Sequence, residues 1–117
     1  MPYMLLILEP HGQRQERNDA EGHAVYQRML DFSASLKSRG VLRTSQSLLA
    51  DREGVRVRVR DGKRSVLDGP FVESKEMIGG YFILDCDTLE EAVAIAGEVP
   101  AAEWATIEVR EFGPCYA

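Results

Sequence analysis

Four charged side chains crowd one short segment of this 117-residue chain: Asp68, Glu73, Lys75 and Glu76. Carboxylates held close together can share a proton, and one of them can then serve as a general acid or base. Asp68 and Glu73 are therefore predicted catalytic residues. Lys75 could orient a substrate carboxylate or pair with the flanking glutamates. The alternative is that this charge run is a solvated face or a local cluster of ion pairs.

Tyr81 is the third predicted catalytic residue, because its hydroxyl could line a cleft beside the charged segment. It follows Gly79 and Gly80 at the start of an apolar run. Paired glycines inside a strand favour a bulge or a close approach of two backbones. The alternative for Tyr81 is an aromatic residue of the core.

Binding of a small molecule would need further side chains around the same cleft. Phe71 follows Gly69 and Pro70, which are typical turn residues, so these three residues could also form a purely structural corner. His23 could reach the cleft or lie on the surface of a helix. The predicted ligand-binding residues are Phe71, Lys75, Glu76, Met29 and His23.

Three arginines alternate with three valines between residues 55 and 60. In a strand, alternate side chains point to opposite faces, so the arginines share one face and the valines are expected to face the core. The arginine stripe could bind an anion. The alternative is an exposed strand face whose charges prevent aggregation.

The composition limits the classes of function. The chain has 14 basic and 19 acidic side chains, for a net charge of −5, which disfavours binding to nucleic acid or to an anionic membrane. The apolar and charged fractions, 44% and 28%, are typical of a globular protein, so residues 1–117 are predicted to form a single domain.

Cofactor and targeting signals are missing from the sequence. It contains no glycine-rich nucleotide loop, nucleophile elbow or zinc-type cysteine spacing, so we expect neither a cofactor nor a metal. Cys86 and Cys115 are expected to be free thiols. The first apolar run stops at Glu9, too early for a signal peptide or a membrane span, and a cytoplasmic location is the expectation.

Strands and helices can be read from the spacing of apolar residues. Residues 3–8 are apolar almost without interruption, which predicts a strand buried on both faces. Val25, Met29, Phe32 and Leu36 recur at helical spacing and predict a helix that starts near Asn18 or Asp19 and ends at Gly40. A strand of weaker signal follows in residues 41–49.

The second half of the chain begins with a hairpin and ends in a helix and a strand. Asp61 and Gly62 separate two strand-like runs and predict a tight two-residue turn. Residues 77–84 form a further apolar strand. Thr88 and Glu91 predict a capping box at the start of a second helix, whose apolar face is Leu89, Ala92, Val93 and Ala96. The last strand covers residues 105–112.

This order of elements predicts an α+β fold, a ferredoxin-like split-βαβ antiparallel sheet with both helices on one face. Two helices cannot cover both faces of the sheet, yet two strands are apolar on both sides. A second copy of the chain is the simplest cover, so we predict a homodimer in which two sheets meet face to face.

The segment from Asp68 to Glu76, with Gly79, Gly80 and Tyr81 after it, resembles the signature of the YCII-related, or DGPF, family of small bacterial proteins. The Val55–Gly62 hairpin, the opening Tyr3–Ile7 run and the closing Ile107–Arg110 run extend the resemblance over nearly the whole chain. It implies a dimeric α/β-barrel fold, and it implies no established reaction. The genes of many members lie near alternative sigma factors.

The resemblance also bears on catalysis. In relatives with proposed enzymatic activity, a His on the first helix and an Asp before a Pro at the end of the second helix form an acid–base dyad. Counting back from Gly40 places Met29 at the His position, and Val99 precedes Pro100 in this chain. The dyad is therefore missing at both positions.

Two functions follow from these features. The first is binding of a small polar molecule, or its conversion by a cofactor-independent lyase or isomerase, in a cleft near the DGPF segment. The second is a non-catalytic interaction module for transcriptional control, with a sigma factor as partner by family resemblance.

Overall fold

The computed structural model describes residues 1–116, which contain six strands and two α-helices. Short 3-10 turns lie at Arg14–Glu16, Asp51–Glu53 and Pro100–Glu103. The strands and helices, in chain order, are β1 (Tyr3–Pro10), α1 (Asp19–Ser38), β2 (Leu42–Ser47), β3 (Val55–Arg60), β4 (Lys63–Asp68), β5 (Glu76–Leu84), α2 (Leu89–Glu98) and β6 (Thr106–Glu111).

Side-chain caps fix where both helices begin. Asn18 caps α1, and its side chain accepts from the amide of Glu21 while the Glu21 carboxylate accepts from the amide of Asn18. Thr88 caps α2 and accepts from the amide of Glu91 at 3.1 Å. After α1, Gly40 takes a positive φ of 76°, which glycine adopts without strain. The predicted starts of both helices and the end of the first helix are confirmed. The predicted capping box of α2 is only half formed, because the Glu91 carboxylate accepts from the amide of Asp87 at 3.3 Å and not from the amide of Thr88.

The main sheet has the strand order β2-β5-β1-β6, and every pairing in it is antiparallel. Leu5 on the central strand β1 lies between Phe82 of β5 and Val109 of β6. Both helices cover this face, and Leu36 and Ile95 are buried against it. The predicted ferredoxin-like arrangement with two helices on one face is confirmed.

The opposite face of the main sheet carries a second apolar set. Met4 pairs with Ile83 and Leu6 pairs with Tyr81 across β1 and β5, and these four residues are half-buried. The helices of a single chain thus cover one face of the sheet and leave the other face without a covering layer. We call it the open face.

The β3–β4 hairpin does not join the main sheet. It pairs only with itself, in a separate two-stranded sheet, and every residue in both of its strands is exposed. We call residues 55–68 the arm. The prediction that its valines face the core is wrong: Val55, Val57 and Val59 are 55–59% exposed. The alternation of side chains is as expected, but no layer of the body covers the valine face of the arm.

The buried stripe of α2 also differs from the prediction. Ala92, Ile95 and Ala96 are buried, whereas Leu89 and Val93 are exposed. The true stripe therefore includes Ile95 and leaves out Val93, which lies about 100° around the helix from Ala92.

Candidate functional site

A cavity of about 600 Å³ lies between α1 and the helix-covered face of the main sheet. That volume is typical of small-molecule sites, which span roughly 300–1,000 Å³. Its walls are mainly apolar, with a small number of charged and hydroxyl groups. The apolar lining side chains are Ile7, Val25, Tyr26, Met29, Leu30, Leu48, Leu49, Phe82, Ala101 and Trp104, and the polar ones include Glu9, Arg14, Arg17, Ser33, Ser45 and Ser47.

Glu9 and Arg14 form an ion pair in this cavity. Glu9 is only 7% exposed. The Nε of Arg14 donates to both carboxylate oxygens of Glu9 at 3.1 Å, and Nη2 donates to Oε1. Arg14 also donates to the carbonyls of Leu48, at 2.8 Å, and Gly79, at 3.3 Å. One guanidinium therefore ties together the end of β1, the residue after β2 and the start of β5.

The two glycines of β5 make room for this arrangement. The β1–β5 register shifts between Ile7 and Leu8, so Gly79 is the extra residue of a β-bulge. A Cβ on Gly79 would lie 1.7 Å from Oε1 of Glu9, and one on Gly80 would lie 2.7 Å from the carbonyl oxygen of Gln46. The sequence-based expectation of a bulge or close backbone approach is confirmed.

Two hydroxyl groups that line the cavity are hydrogen-bonded to each other. Oγ of Ser33 on α1 lies 3.2 Å from Oγ of Ser45 on β2, so the two serines share a hydrogen bond. Each hydroxyl can donate one hydrogen bond and accept two, so this pair retains capacity for a polar group of a ligand. Besides the Glu9–Arg14 pair, the two serines are thus a second hydrogen-bonding group in the mainly apolar wall.

Trp104 closes one end of the cavity. The guanidiniums of Arg17 and Arg28 each lie 5.4 Å from its ring centroid. Arg28 is also paired with Glu103. Hydrogen bonding to Arg28 is the largest cause that lowers the pKa of the Glu103 carboxyl below its ordinary value. The carbonyl of Trp104 accepts from Nε2 of Gln13 at 2.7 Å, which ties this residue to the loop after β1.

The DGPF segment forms a corner at the root of the arm. The amide of Phe71 donates to Oδ2 of Asp51 at 3.1 Å, and the amide of Gly69 donates to the carbonyl of Gly54 at 2.9 Å. A Cβ on Gly69 would lie 1.9 Å from the carbonyl oxygen of Asp51. Arg56 of the arm stacks over the buried Phe71 ring at 3.8 Å. Gly69 and Phe71 thus have the packing that a structural corner requires.

His11 adds a second contact to the same corner. Its Nε2 lies 3.1 Å from Oδ2 of Asp51, and both side chains are largely buried. The His11 amide donates to the carbonyl of Lys75 at 3.1 Å. The loop after β1 is therefore fastened to the turn before the arm and to the segment that enters β5.

The predicted site residues do not all meet in one place. Of the predicted catalytic residues, Tyr81 lines the cavity, and of the predicted binding residues, Met29 does. The register pairs Tyr81 with Leu6 of the open face, so its backbone borders the cavity while its side chain lies on the other face of the sheet. The residues that do not line the cavity are Asp68, Glu73, Phe71, Lys75, Glu76 and His23.

The surroundings of those six residues explain their separation from the cavity. Asp68 ends β4 and pairs with Val55 of the arm, and Glu73, Lys75 and Glu76 are exposed on the way into β5. His23 is exposed on α1, on a side of the helix that Met29 does not share. Their roles in catalysis and binding stay predictions.

Sequence reasoning missed the charged pair at the centre of the cavity. From the sequence, Glu9 is only the residue at which the first apolar run stops, and no pattern singles out Arg14. One signal was present in the sequence. Glu9 lies two residues after Ile7, in the same alternating series as Tyr3 and Leu5, so its side chain is on the strand face that the helices cover. A carboxylate on that face needs a cationic partner.

Metal and membrane features can be described for the same residues. Among residues 1–116, no group of three or more His, Cys, Asp or Glu side chains is placed to hold a metal ion. Of the helices in that range, none combines the length and apolar character that crossing a bilayer demands.

Both cysteines are free, Cys86 buried and Cys115 exposed. Burial is the main cause that raises the pKa of the Cys86 thiol.

Comparison with known proteins identifies the family. The model of the YCII-related domain matches residues 1–114. The chain belongs to the YCII-related family. The residue at the position of the relatives' helix-one His, Met29, lines the cavity of this family member. Val99, at the position of their Asp, is 2% exposed.

Two individual proteins are similar to this YCII-related chain. An uncharacterized protein of Rhizobium meliloti (strain 1021) is 40% identical over 45 residues, which span 38% of this chain and 36% of that protein. The solved structure of 5-chloro-2-hydroxyhydroquinone dehydrochlorinase (TftG) from Burkholderia phenoliruptrix AC1100, in complex with 2,5-dihydroxybenzoquinone, matches with a TM-score of 0.58 and 15% identity. The match covers 97% of this chain and 94% of TftG. It shows the fold, and it confirms the predicted α+β class.

Proposed function

We propose that this protein binds a small polar molecule in the cavity between α1 and the main sheet. The observation that carries the proposal is the Glu9–Arg14 pair, whose carboxylate is buried, inside a mainly apolar wall. Ligand sites are typically apolar clefts with a few fixed polar groups that orient the ligand. Arg14 is held by three separate segments of the chain, so its position is fixed before a ligand arrives.

A second candidate is enzymatic conversion of the bound molecule without a cofactor, as a lyase or isomerase. It is supported by the likeness to TftG, which is a dehydrochlorinase in complex with a dihydroxybenzoquinone. The dyad of other relatives gives no support, since Met29 and Val99 carry no titratable group. Within the cavity lining, Glu9, the two facing serines and the Tyr26 hydroxyl could move or hold a proton.

The assembly that we propose is a homodimer formed through the open face. Met4, Leu6 and Ile83 are apolar, lie side by side and are only half-buried in one chain. Light scattering should therefore give the mass of two chains. A Leu6→Glu variant should give one, and Leu89→Glu, which changes an exposed leucine on α2, should remain dimeric. A monomeric wild-type protein would contradict the proposal.

The cavity proposal can be tested by narrowing the cavity without damaging the fold. Gly22 of α1 lines the cavity, and a Cβ there would meet no atom within 4 Å. The Cβ of Gly22→Leu therefore meets no neighbouring atom, and the rest of the leucine side chain should occupy part of the cavity. Gly97→Leu on α2 is the matched control, since Gly97 also faces open space and does not line the cavity.

The readout is a fluorinated fragment library screened by ligand-observed ¹⁹F NMR. Wild type and Gly97→Leu should bind a common set of fragments, and Gly22→Leu should lose most of that set. The proposal fails when wild type binds no fragment, or when Gly22→Leu binds the same fragments as its control.

The alternative function, an interaction module for a sigma factor, stays a prediction from the family resemblance, as does the cytoplasmic location. Co-purification from cells under mild salt would test it. A captured sigma factor that is released by substitutions on the exposed arm would support it, whereas recovery of the protein without any sigma factor would count against it.

A further inference from the structure

The positive and negative side chains that line the cavity do not balance, because one of the lining arginines has no acidic partner. Arg17 lines the cavity beside Trp104 and is half-buried. Among the ion pairs within residues 1–116, none involves Arg17. Its guanidinium stays charged at any physiological pH and presents several donors.

The two other arginines near this end of the protein are already neutralised. Arg14 is paired with Glu9, and Arg28 is paired with Glu103. The charged side chains that line the cavity are therefore Glu9, Arg14 and Arg17, with a net charge of +1. Arg17 is the lining group that gives the cavity this positive charge.

The apolar lining of the cavity includes aromatic side chains and one methionine. Trp104 lies under the Arg17 guanidinium, and Phe82 and Met29 also line the cavity. Methionine sulfur and aromatic rings pack favourably against a ligand ring. The hydrogen-bonded pair Ser33 and Ser45, which also lines the cavity, can hydrogen-bond a substituent of the ligand ring.

We infer that the ligand of this cavity is an aromatic anion whose acidic group binds Arg17 and whose ring lies against the apolar wall. The inference rests on the proposed function and adds to it the charge and the chemical class of the ligand. Arg17 determines the preference for the anion, and the fixed Glu9–Arg14 pair does not, because its charge is already balanced.

The test compares two probes of the same shape that differ in charge. At pH 7.5, 4-fluorobenzoate is an anion and 4-fluorobenzamide is neutral, and ¹⁹F NMR of the probe measures weak affinities for both. We expect wild type to bind the benzoate at least about tenfold more tightly than the benzamide, as expected for a charge-assisted contact that adds about 1.4 kcal/mol or more.

Two arginine variants assign that preference to one residue. Arg17→Gln should bind both probes with nearly equal affinity. Arg28→Gln is the matched control, because Arg28 lies at the same distance from Trp104 but is paired with Glu103; it should keep the preference. Each variant's thermal unfolding midpoint verifies that it is folded.

Three results would overturn the inference. These are equal binding of the two probes by wild type, a preserved preference in Arg17→Gln, and binding of neither probe at millimolar concentration. Equal binding with a loss of both probes in Gly22→Leu would leave the cavity as the ligand site and refute only its preference for anions. The fragment screen decides separately whether the cavity binds small molecules.

Discussion

The Glu9–Arg14 pair gives a direct test of how the cavity is held together. Arg14→Met removes the guanidinium and keeps much of the side-chain stem. It leaves the Glu9 carboxylate, 7% exposed, without its cationic partner, and it releases the carbonyls of Leu48 and Gly79. Glu9→Gln is milder, since an amide oxygen can still accept from Arg14 and no unpaired carboxylate stays buried.

The expected magnitudes follow from these surroundings. Removing one partner of a fully buried ion pair costs about 3–5 kcal/mol of unfolding free energy. The Arg14 side chain is 33% exposed, so water compensates part of the loss and we expect about 3 kcal/mol for Arg14→Met. Glu9→Gln should cost about 1–2 kcal/mol, as for a weakened hydrogen bond to a charged group.

A double-mutant cycle by urea unfolding measures the interaction itself. In the Glu9→Gln background, Arg14→Met should cost only about 1 kcal/mol, so the coupling free energy between the two residues should be about 2 kcal/mol. A coupling below about 0.5 kcal/mol, typical of solvent-exposed pairs, would refute the interpretation that this pair fixes three segments around the cavity.

Three further predictions concern the rest of the molecule. Gly69→Ala places a Cβ against the carbonyl of Asp51 and should lower the unfolding free energy by about 2 kcal/mol or more, as other buried steric clashes do, measured by urea unfolding. Cys115 is exposed and Cys86 buried with a raised pKa, so a thiol reagent at pH 8 should modify Cys115 at least about tenfold faster, and equal rates would contradict this. Because its arginine partner lowers the pKa of Glu103, this pair should stabilise the fold above the ordinary Glu pKa and lose that effect as pH falls through the lowered value. Glu103→Gln should flatten that part of the stability curve.

Local sequence signals predicted the elements well. The Asn18 cap, the apolar spacing of α1 and Gly40 after it all act within a few residues of one another, so the sequence reports them directly. The Asp61–Gly62 turn is equally local, and Asp61 does take the positive φ that such a turn needs. The ferredoxin-like order followed from these elements, because few topologies connect them with short loops.

The arm shows where such signals end. Val55, Val57 and Val59 alternate with arginines as a half-buried strand does, and this alternation predicts the faces of the strand. It does not predict whether another layer covers the apolar face, which depends on where the whole hairpin lies relative to the body. The DGPF corner at its root, fastened to Asp51, sets that position.

The candidate site was harder to predict because its groups come from distant parts of the chain. Arg14 contacts Glu9, Leu48 and Gly79. No local sequence pattern predicts contacts between residues as far apart in the chain as Arg14 and Gly79. The sequence instead predicted catalytic and binding residues within the DGPF segment, because charged side chains are dense at residues 68–76. Exposed carboxylates are solvated and need no cationic partner. Glu9 is a single carboxylate on a covered face, so it needs one.

The central claim is that ligand binds between α1 and the main sheet, and amide chemical-shift mapping tests it most directly. Fragments that bind wild type are titrated into ¹⁵N-labelled protein. We expect the largest shifts at Met29, Ser33 and Ser45 and at the indole N–H of Trp104, the single tryptophan of the chain. Shifts concentrated at residues 68–76, with the Trp104 indole unchanged, would contradict it.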